Sequence, residues 1–135
     1  MLIGIDVLLR GPLLAALDAL GHGDVLVIAD ANFPAARLGA SLALPGVRSA
    51  EAIDAILSVF PLDPYESVVL MAAPDGPQPV QDEIMAAVKD HAGPAVEHVG
   101  RFEFYELARS ASLIVQTGEL QPYGNVLVRK GGING

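Results

Sequence analysis

Short apolar runs alternate with helix-forming segments along the whole chain, and this alternation constrains the fold more than any other feature. Residues 25–29 (Val-Leu-Val-Ile-Ala) are all apolar, which is typical of a strand buried on both faces of a sheet. Before this run, Pro12 suits the first turn of a helix and Gly21 the position just past its end. Further strands are predicted over residues 68–73, 95–99, 113–116 and 125–129.

Helical segments lie between several of these strands. Ser49 is a reasonable N-cap, Glu51 favours a first helical turn, and the apolar periodicity that follows stops at Pro61. Two more helices are expected, one through residues 80–88 that ends at Gly93-Pro94 and one over residues 102–111. The alternation predicts an α/β layered fold with a largely parallel sheet, formed by one domain spanning residues 1–135.

Composition excludes several classes of protein. With 52% hydrophobic and 18% charged residues the chain can bury a core, and it has no cysteine for a disulfide or a thiolate. A net charge of −8 repels phosphate backbones and anionic membranes, so nucleic acid and membrane partners are not expected. Asp, Gly or Pro interrupts every candidate membrane span, and the first residues lack a secretory pattern, so we expect a cytoplasmic protein.

His22 is the first candidate for chemistry. It lies between Gly21 and Gly23 at a helix-to-strand junction, where small neighbours let a substrate approach and an imidazole can transfer protons near neutral pH. The structural explanation is a helix C-cap glycine followed by an exposed loop histidine. Position alone does not decide between the two.

Asp30 directly follows the first strand, at the sheet edge where ligands collect in open α/β folds. A carboxylate there can bind sugar hydroxyls, although a turn aspartate that caps local backbone is the commoner role. A strand of about six residues would separate His22 from Asp30 by roughly 20 Å, at about 3.3 Å per residue. The two would then meet only across a subunit interface or through a fold in the chain.

Two further segments carry polar groups suited to a ligand. Arg101 begins a helix, where a cation opposes the helix dipole, so oxygen binding is one explanation. The other is that its stem packs on Phe104 or Tyr105 while its head pairs with a nearby glutamate. Tyr123, Gly124 and Asn125 follow Thr117-Gly118-Glu119 and offer a phenol, a flexible backbone and an amide. Glycine and asparagine are also ordinary turn residues.

Motifs of several well-known chemistries are missing from the sequence. Gly21-His22-Gly23 follows a helix, the reverse of a dinucleotide fingerprint, and no Walker-type loop occurs. His91 and His98 are seven residues apart, which matches no zinc-binding spacing. We therefore expect acid/base chemistry with no metal and no organic cofactor.

Four segments taken together resemble the D-ribose pyranase and L-fucose mutarotase family. They are Gly21-His22-Gly23-Asp24, Ala29-Asp30-Ala31-Asn32-Phe33-Pro34, Arg101-Phe102-Glu103-Phe104-Tyr105-Glu106 and Thr117-Gly118-Glu119 followed by Tyr123-Gly124-Asn125. Their order and spacing span nearly the whole chain. The resemblance implies a single-domain, three-layer α/β/α fold with a largely parallel central sheet, and a homo-oligomer, commonly a decameric ring, with active sites at subunit contacts.

The resemblance also implies roles for individual residues. It implies a catalytic role for His22. Our mechanistic hypothesis adds that His22 moves one proton and that Tyr123 or a bound water moves the other, which makes Tyr123 the second catalytic candidate. Asp30, Arg101, Tyr123, Gly124 and Asn125 look like the residues that bind a monosaccharide. Tyr123 and Asn125 are expected to reach the sugar from a neighbouring subunit.

The stretch from Arg101 to Glu106 resembles the fucose branch, so we expect interconversion of the α and β anomers of L-fucose or a similar sugar. Asn32 stands where some fucose enzymes carry histidine, and D-ribose pyranase activity stays open. A noncatalytic sugar-binding oligomer and an isomerase acting between aldose and ketose also stay open.

Overall fold

Six strands form one mixed sheet at the centre of the protein. A computed structural model describes residues 1–91 and 94–134. The strands are β1 (Val25–Ala29), β2 (Ser41–Leu44), β3 (Val68–Met71), β4 (Val96–Val99), β5 (Leu113–Thr117) and β6 (Val126–Arg129). The helices are α1 (Gly11–Ala19), α2 (Ala35–Leu38), α3 (Ser49–Leu57), α4 (Pro79–Asp90) and α5 (Arg101–Ala108).

The strands follow the spatial order β2-β5-β1-β6-β3-β4. β1 pairs in parallel with β5, β5 with β2, and β3 with β4, whereas β6 runs antiparallel to both β1 and β3. Five strands therefore point one way and only β6 is reversed. As a result, the carboxyl ends of β1 and β3 lie at the same edge of the sheet as the beginning of β6.

The two faces of the sheet bury two separate hydrophobic cores, because successive side chains of a strand point to opposite faces. Leu26 and Ile28 of β1 join one core with α1, α3 and α4. Val25, Val27 and Ala29 join the other, with α2 and α5. This confirms the predicted three-layer α/β/α arrangement with a largely parallel sheet.

Most predicted elements are present with bounds that shift by a few residues. The predicted strand over residues 25–29 has the bounds of β1, and Arg101 is the first residue of α5 as expected. Ser49, the predicted N-cap, is instead the first helical residue, because Arg48 occupies the cap position. The predicted helix end at Gly93 lies outside the described residues. The apolar pattern predicts neither α2 nor β2.

None of the described helices combines the length and the apolar composition that crossing a lipid bilayer requires.

Candidate functional site

A polar pocket lies at the edge of the sheet where β1 and β3 end and β6 begins. Its volume is about 240 Å³, below the roughly 300–1,000 Å³ of pockets for drug-sized ligands, so it suits a small molecule. The polar side chains that line it are those of Asp30, Asn32, Arg101, Tyr105, Tyr123 and Asn125. We call this site the Asp30 pocket.

Asp30 is the buried acid of the pocket, with 5% of its surface exposed. Burial raises the pKa of the Asp30 carboxyl, because the charged form loses its hydration. The Asn32 N–H donates to Oδ1 at 3.0 Å, and the Gly124 N–H and the Asn125 side chain also face the carboxyl group and lower its pKa in part. A carboxyl group with a raised pKa in a pocket is a candidate for ligand binding and proton exchange.

The loop before β6 supplies the phenol and the amide. Asn125 is buried and accepts a hydrogen bond from the Asp30 N–H at Oδ1, at 2.8 Å. Tyr123 lines the pocket with a backbone φ of 65°, a left-handed conformation that is uncommon outside glycine. Such strain persists only where the surroundings enforce it, and it is often found at functional sites.

Arg101 brings a cation to the pocket from the first turn of α5. Its guanidinium carbon lies 4.8 Å from the centre of the Phe102 ring, a cation–π contact with a different ring from the Phe104 or Tyr105 that the packing alternative names. In the described part of the chain, however, no carboxylate lies within ion-pair distance of Arg101. The guanidinium is therefore available to bind ligand oxygen atoms.

Gly124 is buried behind the pocket and does not line it. A Cβ atom at this position would lie 3.0 Å from Cγ of Glu119 and 3.2 Å from Oγ of Ser49. The glycine allows this close packing, and its N–H faces the Asp30 carboxyl group.

Tyr123 and Asn125 line the Asp30 pocket of their own chain. The family resemblance implies that both reach the sugar from a neighbouring subunit, whereas within one chain they line the same pocket as Asp30 and Arg101. The reversed direction of β6 is the physical reason, because it returns the loop that precedes β6 to the edge at which β1 ends.

His22 lies at the opposite end of β1, away from this pocket. A five-residue strand spans about 17 Å, so the separation that the sequence predicts is present within one chain. The His22 side chain is 69% exposed, and its Nε2 lies 3.3 Å from Oδ2 of Asp63. Asp63 is buried, and its Oδ1 accepts a hydrogen bond from the Tyr65 N–H at 2.9 Å.

An apolar cavity of about 460 Å³ opens beside His22. We call it the His22 cavity. It is larger than the Asp30 pocket, but its lining offers few groups for acid/base chemistry. Its apolar lining residues include Ile5, Leu14, Leu17, Val59, Phe60 and Ile133.

The histidines considered for a metal are spread over the fold. His91 ends α4 and pairs with Asp54 at 3.1 Å, whereas His98 is exposed on β4. Among residues 1–91 and 94–134, no group of three or more His, Cys, Asp or Glu side chains could hold a metal ion.

Sequence reasoning missed Asp63 and Tyr105 as neighbours of the candidate groups. Asp63 is 41 positions from His22, and no local pattern connects the two. The sequence favours Tyr105 as a core residue, and its helical spacing of four residues from Arg101 is the signal that both face one site.

Comparisons with known proteins match one family over nearly the whole chain. Residues 3–133 match the family model described as the RbsD / FucU transport protein family. The chain is 38% identical to a protein named L-fucose mutarotase from Actinobacillus pleuropneumoniae serotype 5b, over 97% of this chain and 96% of that protein.

Two solved structures share the fold. One is the fucose mutarotase of Streptococcus pneumoniae in complex with L-fucose, at a TM-score of 0.91 and 31% identity, covering 98% of this chain and 100% of that one. The other is Bacillus subtilis RbsD complexed with D-ribose, at a TM-score of 0.81 and 22% identity, covering 99% and 100%. At that identity the second comparison shows the fold alone.

Proposed function

Because this chain belongs to the RbsD/FucU family, we propose that it interconverts the α and β anomers of L-fucose or a similar pyranose. The observation that carries this proposal is the Asp30 pocket. It places a buried carboxyl group, an available guanidinium, a phenol and an amide around a space suited to one small polar molecule. Relatives named L-fucose mutarotase cover nearly the whole chain.

The reaction needs two proton movements and no redox step. A base takes the proton of the anomeric hydroxyl while an acid protonates the ring oxygen, and the bond between C1 and the ring oxygen breaks to give the open-chain aldehyde. Rotation about the C1–C2 bond and the reverse proton movements close the ring with the other anomeric configuration. General acid/base assistance is worth about 10² to 10⁴ in rate.

Each polar group of the pocket has a place in this scheme. Asp30, Arg101 and Asn125 bind the sugar hydroxyls, and the Gly124 N–H holds the Asp30 carboxyl group in place. Tyr123, or a water bound beside it, carries one proton. This assignment is supported by the burial of Asp30 and by the strained backbone that presents Tyr123.

His22 is proposed to carry the other proton, in the Asp30 pocket of a second copy of the chain. Its exposed side chain projects from the far end of β1, so it is free to enter a neighbouring subunit. The adjacent His22 cavity offers apolar surface for that contact. Repeated head-to-tail contacts of this kind close into a ring, in line with the decamer that the family resemblance implies.

Asp63 is proposed to orient His22. Its carboxylate lies at hydrogen-bond distance from Nε2 of His22, and the Tyr65 N–H fixes the other carboxylate oxygen. A carboxylate on one ring nitrogen sets which nitrogen of a neutral imidazole carries the proton. The remaining nitrogen then faces the sugar.

Saturation-transfer proton NMR of sugar anomers tests the function directly. We expect the protein to accelerate exchange between the α and β anomers of L-fucose, with weaker effects on D-galactose and D-glucose. Faster exchange only for D-ribose would favour D-ribose pyranase activity. Binding without faster exchange would favour a noncatalytic sugar-binding protein, and new ketose signals would reveal an aldose–ketose isomerase.

A further inference from the structure

Glu119 is a buried carboxylate that takes no part in the scheme above. Only 2% of its surface is exposed, and it does not line the Asp30 pocket. A buried carboxylate is costly unless it is paired and hydrogen-bonded. Its position in the loop between β5 and β6, the same loop that carries Tyr123 and Asn125, suggests a reason for its presence.

The Glu119 carboxylate connects the loop to the start of α3. Oε1 accepts a hydrogen bond from the Gln121 N–H at 3.1 Å, and Oε2 accepts one from the Ser49 N–H at 3.3 Å. Arg48 approaches Oε2 from the protein surface, with its Nε at 3.3 Å. The anion is thereby placed at the positive end of the α3 dipole.

Neighbouring bonds extend this network to both sides of the pocket. The Ser49 hydroxyl donates to the Gly124 carbonyl at 2.8 Å, and the Thr117 hydroxyl donates to the Ala29 carbonyl at 2.8 Å. The Ala31 N–H donates to the carbonyl of Glu119 at 2.9 Å. The network therefore joins the loop before β6 to the residues on either side of Asp30.

The loop needs such support because Tyr123 adopts a left-handed backbone conformation. A non-glycine residue in this region is held there by its surroundings at a cost of about 1–3 kcal/mol. Directly after it, Gly124 packs against the Glu119 side chain. Without the carboxylate, the loop can relax and shift both the phenol and the Gly124 N–H.

We propose that Glu119 is a positioning residue that holds Tyr123, Gly124 and Asn125 in the geometry that anomer exchange requires. This inference rests on the proposed function. Glu119 does not touch the sugar, so it acts through the loop. Its removal should change kcat per folded molecule and the dependence of kcat on pH. A role in stability alone would change only the amount of folded protein.

The test compares Glu119→Gln with Glu83→Gln. Both carboxylates contact Arg48, but Glu83 is 40% exposed, and among the described residues its carboxylate forms no hydrogen bond or ion pair with the loop. We expect Glu119→Gln to lower kcat per folded molecule about tenfold or more, since small misplacements of reacting groups cost up to about 10²-fold.

The pH profile of kcat gives a second readout. Its acidic limb should move to higher pH, because a shifted Gly124 N–H no longer favours ionised Asp30. The other charged and titratable groups facing Asp30 are Arg101, Tyr105 and Tyr123, and neither substitution removes them.

Glu83→Gln should retain the kcat and pH profile of the unaltered protein. If Glu119→Gln does so too, the proposal is wrong. Should Glu119→Gln fail to fold, Ser49→Ala removes the bond from the Ser49 hydroxyl to the Gly124 carbonyl and the longer contact of that hydroxyl with the Thr117 hydroxyl, and we expect a several-fold loss of kcat. Unchanged kcat in Ser49→Ala would then overturn the inference.

Amide hydrogen exchange separates this inference from the proposed function. In Glu119→Gln we expect the amide hydrogens of Gln121 and Gly124 to exchange at least tenfold faster than in the unaltered protein. The amide hydrogen of Leu127 in β6 should exchange at an unchanged rate. If the unaltered protein does not accelerate the interconversion of sugar anomers, the proposed function fails. The amide hydrogen exchange rates still report whether Glu119 holds the loop. Unchanged exchange rates at Gln121 and Gly124 would show that Glu119 does not hold the loop.

Discussion

The two ends of β1 are built in opposite ways. At the carboxyl end, Asp30 is buried among groups from α5, from the end of β3 and from the loop before β6. At the amino end, His22 is largely exposed beside an apolar cavity, and Asp63 is its side-chain hydrogen-bonding partner. One end is closed within the chain, and the other presents the His22 imidazole outward.

This difference fits the proposal that two copies of the chain share each active site. The enclosed end can select and orient a ligand, because hydrogen bonds at buried positions hold Asp30 and Asn125. The exposed end gains a defined environment only when another surface covers it. The proposed proton carrier on the exposed end and the proposed binding pocket on the enclosed end fit a site completed by a second copy of the chain.

Replacing His22 with Ala is expected to have the largest effect on the exposed end. Anomer exchange should fall about 10²- to 10⁴-fold because a general acid/base is lost, equivalent to about 3–5 kcal/mol in the barrier. Sugar binding in the Asp30 pocket should persist. Saturation-transfer NMR measures the rate, and His91→Ala, which removes a histidine paired with Asp54, is the matched control.

Mixing subunits tests whether the two ends belong to one site. His22→Ala and Asp30→Asn are each expected to be inactive when assembled alone. Coassembled in equal amounts, they should recover activity at about a quarter of the sites, where an intact His22 meets an intact Asp30 from another copy. No recovery in the mixed oligomer would contradict a shared site.

Glycine substitutions compare the packing of the two ends. A Cβ at Gly118 would collide with the backbone of Gly46, whereas one at Gly23 would meet open space, with a backbone φ of +87° as its only penalty. We expect Gly118→Ala to lower the free energy of unfolding by about 2–3 kcal/mol and Gly23→Ala by about 1 kcal/mol. Urea denaturation measures both, and equal losses would show that the ends are packed alike.

Apolar periodicity predicts the layered fold well because buried strands and helices have strong local patterns. The bounds of β1 and the first residue of α5 follow from such patterns. Such patterns do not predict β2, because it is an edge strand of four residues, Ser41–Leu44, whose exposure alternates. The reversal of β6 has one signal in the sequence, since no helix separates β5 from β6 and a parallel crossover usually needs one.

The candidate site is predictable in its residues but not in its arrangement. Asp30 follows a strand and Arg101 begins a helix, so local patterns place each at an element end. Which ends meet depends on strand order and direction, which residues far apart in sequence determine. Asp63 shows the limit of local patterns, because only the folded chain brings it to His22.

Replacing Asp63 with Asn at the exposed end is expected to lower kcat by less than the loss of His22 does. The amide can still accept the Tyr65 N–H bond, but it no longer offers a carboxylate to His22. We expect kcat to fall about tenfold with little change in KM, equivalent to about 1.4 kcal/mol. Asp54→Asn alters the His91 pair in the same way and should leave both constants unchanged. A wild-type kcat in Asp63→Asn would show that the contact is not used.

The pH dependence of stability at the enclosed end should give the smallest effect. Burial raises the pKa of Asp30 in the folded protein above its usual value of 3.8. Asp30 therefore contributes stability that is fully present below about pH 3.8 and is lost as the pH rises through the folded-state pKa. The hydrogen bonds from Asn32, Gly124 and Asn125 offset part of the shift, which keeps the effect small.

The substitution Asp30→Asn tests this pH dependence. The free energy of unfolding of the variant, minus that of the unaltered protein, should be higher at pH 7 than at pH 4. Urea denaturation at both pH values measures this, with the exposed Asp75→Asn as the control for removing one negative charge. If this difference in the free energy of unfolding does not vary with pH, the pocket does not disfavour the charged form of Asp30. The two ends of β1 would then differ less in their enclosure than the burial of Asp30 implies.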